Sequence, residues 1–198
     1  MTDIELLRQH IASRIDIDGA ELDNLVSAFT LKTVKKKQFI VQPDFVAKYR
    51  SYVVSGAFRS YVIDQQGVDH TIQFAVEDWW LGDINSYINQ KPATMFIVAL
   101  EDSRIFQIEH STERALMRAD HKFESFMRNG AERTAAFHQR RIISNLTRTA
   151  EERYEDFLET YPDIVQRLPQ YALASYLGMT TQFLSRIRNK RSQAKQAD

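Results

Sequence analysis

The residues best equipped for chemistry lie in LASYLGMTTQFLSRIRNKR (173–191). Arg186, Arg188, Lys190 and Arg191 fall there within six residues, and the stretch carries no acid. The chain as a whole is neutral, with 26 Lys and Arg against 26 Asp and Glu, so this concentration is local. From Gln166 to Arg191 there are five basic residues and no acid, whereas Glu151 to Asp163 holds six acids and one Arg. Adjacent blocks of opposite charge point to segments that meet different partners. A set suited to catalysis is missing. His10, His70, His110, His121 and His138 are scattered without a pair at metal-ligand spacing, so surface or capping roles are expected and no metal. There is no Ser/His/Asp signature and no Gly-rich phosphate loop, so no catalytic residue is assigned and an enzyme is not expected. With no cysteine, disulfides, iron–sulfur clusters and thiolate zinc sites are excluded, and a reducing cytoplasm fits best.

The block that positions this basic run fits a helix-turn-helix on steric grounds. Pro169 suits a first helical turn. Leu173, Leu177, Leu184 and Ile187 would face one small core, and Ala174 is small where two helices cross. Gly178 sits at the turn, where a positive φ is needed, Met179 plugs the corner, and Thr180 is a good N-cap. The helix after the turn then presents Thr181, Gln182, Ser185, Arg186 and Asn189 outward. Such side chains match base edges in a major groove: Arg186 suits guanine and Gln182 adenine. Arg188, Lys190, Arg191, the Thr180 hydroxyl and Gln170 suit phosphates. The competing reading is a helical hairpin with a solvated basic face.

The remainder divides by texture. The first 30 residues read as helical, with Asp18 as N-cap and Glu21 three residues on. Residues 38–108 are rich in Val, Ile, Phe and Tyr. QFIV (38–41), SYVV (51–54), AFRSYVI (57–63), HTIQFA (70–75), MFIVAL (95–100) and RIFQI (104–108) read as strands between short turns, which suggests an antiparallel sandwich or roll. From His110 to Tyr161 there is one Gly and no Pro. Phe123, Phe126, Met127, Phe137, Ile142 and Leu146 line a helical stripe suited to a dimer seam, although Gly130 interrupts it. The alternative is a helix packed on its own domain. Trp79 and Trp80 are either core or split between core and an interface. No signal peptide or membrane span is read.

These residues, in this order, resemble the Crp/Fnr family of bacterial transcription regulators. WWLGDINSY (79–87) and AEERYEDFLETYPDIVQRLPQYALASYLGMTTQFLSRIR (150–188) carry the resemblance, and the longer stretch is most similar to regulators of the Bacteroidetes type. The resemblance implies an α+β chain: an N-terminal antiparallel β-roll (double-stranded β-helix, jelly-roll-like) with flanking helices over 1–118, a long dimerisation helix over 119–149, and a helix-turn-helix domain over 150–198. It implies double-stranded DNA, a second copy of the chain and RNA polymerase as partners, and a small-molecule effector in the roll. The family's Gly-Glu and Arg-Ser or Arg-Thr pairs fall here on Gly82, Asp83, Ala93 and Thr94. Ala93 therefore removes the bidentate charge that a cyclic phosphate wants, and another effector, or none, is expected. No wing follows the last helix; NKRSQAKQAD reads as a frayed basic tail. The alternative function is a small-molecule or protein-binding module whose helix-turn-helix is structural only.

Overall fold

The computed structural model describes residues 1–197. Two short helices, α1 (Asp3–Ala12) and α2 (Gly19–Ser27), open the chain. Asp18 caps α2 by accepting from the Glu21 amide, and Glu21 reaches back to the Asp18 amide. Eight strands follow: β1 (Thr30–Val34), β2 (Phe39–Val41), β3 (Tyr49–Ser55), β4 (Phe58–Ile63), β5 (Asp69–Ala75), β6 (Trp80–Leu81), β7 (Phe96–Ala99) and β8 (Ser103–Glu109), with helix α3 (Ile84–Asn89) between β6 and β7. They form two antiparallel four-stranded sheets, ordered β1-β8-β3-β6 and β2-β7-β4-β5. The expected α+β roll is therefore present, with β1 and β6 added. β1 takes Thr30, the last of the 30 residues read as helical, and lies otherwise between that stretch and the strand-rich residues 38–108. It is an edge strand with only Val34 buried, so TLKTV carries no apolar run to mark it. β6 has two residues, too few to show alternation.

Strand alternation sorts the apolar side chains into two cores. Val53 of β3 and Ile105 of β8 point into the roll with Phe58, Ala93 and Ile97. Tyr52, Val54, Phe106 and Ile108 point outward, where Leu7 and Ile11 of α1 and Leu25 and Val26 of α2 cover them. Gly56 is obligatory at the β3–β4 turn: its φ is +107°, and a Cβ there would lie 2.0 Å from Ser103 Oγ.

Beyond the roll, the helical region breaks into α4 (His110–Ala119), α5 (His121–Thr147) and α6 (Ala150–Thr160). Asp120 and Thr149 cause the breaks. Each adopts extended backbone and caps the next helix, Asp120 through the amides of Lys122 and Phe123 and Thr149 through that of Glu152. The 27 residues of α5 extend about 40 Å. Three of the side chains expected on its dimer seam are instead part of the outer roll core. Phe123 is 0% exposed, and Phe126 and Met127 are buried with Leu7, Ile11 and Tyr52. The first turns of α5 lie on α1 and the sheet, so their apolar stripe is consumed within the chain. Helices α7 (Gln170–Tyr176) and α8 (Thr181–Ala197) complete the fold. The expected frayed tail is helical instead, since α8 continues to Ala197 with neither Gly nor Pro to stop it.

Candidate functional site

The helix-turn-helix is built by its apolar spacing. Leu173, Leu177, Leu184 and Ile187 are buried with Tyr154 and Phe157 of α6. Gly178 takes φ +66° at the turn, and Thr180 Oγ1 accepts from the Phe183 amide at 3.2 Å as the cap. Burying Leu184 and Ile187 turns Gln182, Arg186, Asn189 and Lys190 to solvent. Gln182, Arg186 and Asn189 stand four and three residues apart, hence on one helical face. Ser185 and Gln170 lie at its edge and are bonded to each other, Gln170 Nε2 donating to Ser185 Oγ at 2.5 Å, while Ser185 also donates to the Thr181 carbonyl. Arg188 is half-buried and donates to the Tyr154 hydroxyl at 3.1 Å, so part of its guanidinium is used internally. Thr181 and Arg191 are half-buried beside the exposed face.

The head is docked on the roll. β5 is an edge strand of its sheet, and the head bonds to backbone groups on its outer side. Ser175 Oγ accepts from Thr71 N at 2.8 Å and donates to Asp69 O at 2.9 Å. Arg141 of α5 donates to the carbonyls of Thr71, Ile72 and Tyr176, with its guanidinium 4.1 Å from the Tyr176 ring centre. Arg167 pairs with Glu77 through two bonds and with Glu101. Tyr176 lies against Phe74, and Tyr161 against Trp79, which also meets Phe137. Of the six side chains expected at a dimer seam, Phe137 is thus half-buried within the chain. Ile142 and Leu146 remain free, 60% and 81% exposed. Ala131, Ala135 and His138 continue their line toward the start of α5, and both alanines are exposed.

The roll holds another site. Gly82, Asp83, Ala93 and Thr94 meet around α3, but the pocket expected there is closed by the chain itself. Asp83 is wholly buried; one carboxylate oxygen accepts from Ser86 N and the other from Thr94 N. Ala93 is packed in the inner core and pairs with the 43–47 loop through Asp44 and Phe45. Thr94 is exposed. Of these four, Gly82 alone borders the adjacent cavity of about 220 Å³, whose other walls come from residues 39–49 and from Ser51 and Gln107. Sequence reasoning missed those residues. Their signal is polarity at inward positions of otherwise apolar strands: Ser51 precedes Val53 by two in β3, and Gln107 follows Ile105 by two in β8. Behind α3, buried Glu113 of α4 pairs with Arg50 of β3 at 3.0 Å, and Arg50 lies over the ring of Tyr87 of α3. Burial pushes the Glu113 carboxyl above its usual range, chiefly through lost hydration and against the pull of Arg50.

His10 departs from the expected surface role. It is buried among Tyr52, Trp80 and Phe126. Trp80 Nε1 donates to its Nε2 at 2.9 Å, so its Nδ1 carries the proton and donates to Asp78 at 2.5 Å. Trp80 is thus core, and Trp79 serves the junction with the head. Among the described residues, no group of three or more acids and histidines is placed to hold a metal, and no helix is long and apolar enough to cross a membrane.

This chain shares its fold, a roll, a long helix and a capped helix-turn-helix in that order, with several solved proteins. Within it, residues 31–120 match the family model described as the cyclic nucleotide-binding domain. The chain is similar in structure to FixK2 from Bradyrhizobium japonicum, with a TM-score of 0.74 and 19% identity over 84% of this chain and 86% of that one. It is likewise similar to the c-di-GMP-responsive global regulator CLP of Xanthomonas campestris (TM-score 0.72, 10% identity, 90% and 93% coverage). A mutant of CooA from Carboxydothermus hydrogenoformans gives 0.67, with 17% identity over 86% and 79%. No curated protein matches the chain in sequence.

Proposed function

We propose that this chain is a homodimeric, sequence-specific DNA-binding transcription regulator whose β-roll takes a small effector. One observation carries the reading: α8 buries Leu184 and Ile187 and presents Gln182, Arg186, Asn189 and Lys190 to solvent without an acid between 181 and 197. Those groups supply both base-edge hydrogen bonding and phosphate charge. Ala131, Ala135, Ile142 and Leu146 of α5 form the seam with a second copy, which would set two heads on successive major grooves about 34 Å apart. Residues 1–180 carry 21 Lys and Arg against 25 Asp and Glu, and this negative balance suits a molecule in which only the C-terminal end meets phosphate. A module whose helix-turn-helix is structural only would carry apolar or acidic residues on the exposed face of α8. Selection from a palindromic DNA pool over a salt series tests the proposal. A selected sequence and a steep fall of log affinity with log salt are expected; a slope near zero without selection overturns it.

A further inference from the structure

The lining of the roll cavity narrows its ligand. We infer that the cavity takes a neutral, largely apolar molecule of two fused rings carrying one N–H or O–H donor, and not a cyclic nucleotide or other anion. This rests on the reading of the roll as the effector domain.

Three features point to that class. First, size: an apolar cavity of roughly 150 Å³ holds a benzene ring, and this one measures about 220 Å³. Second, three aromatic side chains stand in the wall. Phe39, Phe45 and Tyr49 line the cavity, yet they are 39%, 70% and 39% exposed. Exposed aromatic side chains converging on one concavity mark a binding surface rather than a core. Third, the buried end is polar but uncharged. Ser51 and Gln107 lie there 2% and 7% exposed, with Gln107 Nε2 donating to Ser51 Oγ at 3.1 Å. That bond leaves Gln107 Oε1 buried without a protein partner among the described residues. A buried acceptor of this kind is costly to leave unmade, and a donor on the ligand satisfies it.

An anion finds little here. The lining includes no Arg and a single cation, the exposed Lys48. The nearby carboxylate of Asp83 already occupies the Ser86 amide in the first turn of α3 and the Thr94 amide. The methyl of Ala93 is packed against apolar neighbours where a guanidinium would be needed.

Indole, indene and cyclic AMP are suitable probes, titrated by calorimetry into the full chain. Indole and indene have nearly the same size, and only indole has a donor. Indole is expected to bind about tenfold tighter than indene, the worth of one hydrogen bond to a buried acceptor. Cyclic AMP at the same concentration should give no heat. Gln107→Met should abolish the preference, so that indole and indene bind the variant alike. Phe45→Ala should weaken both, and since Phe45 is exposed its loss leaves the fold intact. Absence of indole binding at millimolar concentration, tighter binding of cyclic AMP, or an indole preference that survives Gln107→Met would each overturn the inference. DNA selection by the protein without any probe reads the regulator proposal separately, so the two fail independently.

Discussion

Arg186 and Lys190 stand one turn apart on α8, both exposed, and their chemistry predicts different losses. Arg186→Ala should relax base preference at one position and cost about 1–3 kcal/mol on the preferred site. Lys190→Ala should weaken binding to all sequences alike and lower the salt slope by about one. Competition binding to selected and random duplexes separates the two; equal, sequence-independent losses would remove the division of labour. Elsewhere, His10 gives a prediction about pH. Burial, the largest influence, holds its imidazole below the ordinary range, opposed by the neighbouring Asp78 carboxylate. A base whose pKa falls on folding binds fewer protons folded than unfolded. Its contribution is therefore intact above about pH 6.5 and is lost progressively as pH falls below that value. His138, lowered likewise by burial, adds in the same direction. His10→Asn keeps a donor toward Asp78 and removes one titration, so the decline of the urea midpoint on acidification should become shallower. An unchanged decline would assign it to other groups.

Helix α5 is divided along its length. Its first turns serve the roll, where Phe126 is buried against His10 and Trp80. Its last turns leave Ile142 and Leu146 uncovered. Substitutions in the two parts should therefore differ in kind. Phe126→Ala should cost about 3–5 kcal/mol of folding stability without altering the association state. Leu146→Asp should barely change folding of the single chain but shift sedimentation from dimer toward monomer, because a charge would enter the seam of a second copy. A dimer that survives both Leu146→Asp and Ile142→Asp would place the interface off this helix.

At the scale of the molecule, the docking of the head on β5 is the feature that unites the roll and the helix-turn-helix. The dock covers an open sheet edge and satisfies its backbone groups through Ser175 and Arg141. Arg141 is the harder part to replace, because one planar guanidinium serves three carbonyls and lies on the Tyr176 ring. Arg141→Ala should loosen the dock by about 1–3 kcal/mol and speed amide hydrogen exchange at Thr71. Arg167→Ala, which removes half-exposed ion pairs, should act below about 1 kcal/mol. The reverse order would place the strength of the dock in its charges.

Local features were legible in the sequence because local spacing carries them. Gly178, Thr180 and the four apolar positions around them state a turn, a cap and an inner face, and six runs of β-branched and aromatic residues state six strands. Which surface covers an apolar stripe is a long-range matter, and there only the tertiary structure decided. Phe123, Phe126 and Met127 have the spacing of a seam, yet α1 and the sheet reach them first. Asp83 has the type of a ligand carboxylate, yet the amides of Ser86 and Thr94 lie closer and take both oxygens. His10 bears no motif at all, and acquires its partners from residues 68 and 70 positions away. Sequence by itself determined six of the strands, the helix-turn-helix and the chemistry of the exposed face of α8, since strand and helical periods and side-chain polarity suffice for these. Tertiary structure alone determined the cavity, the dock and the free end of α5, because each depends on which buried groups are already satisfied by distant parts of the chain.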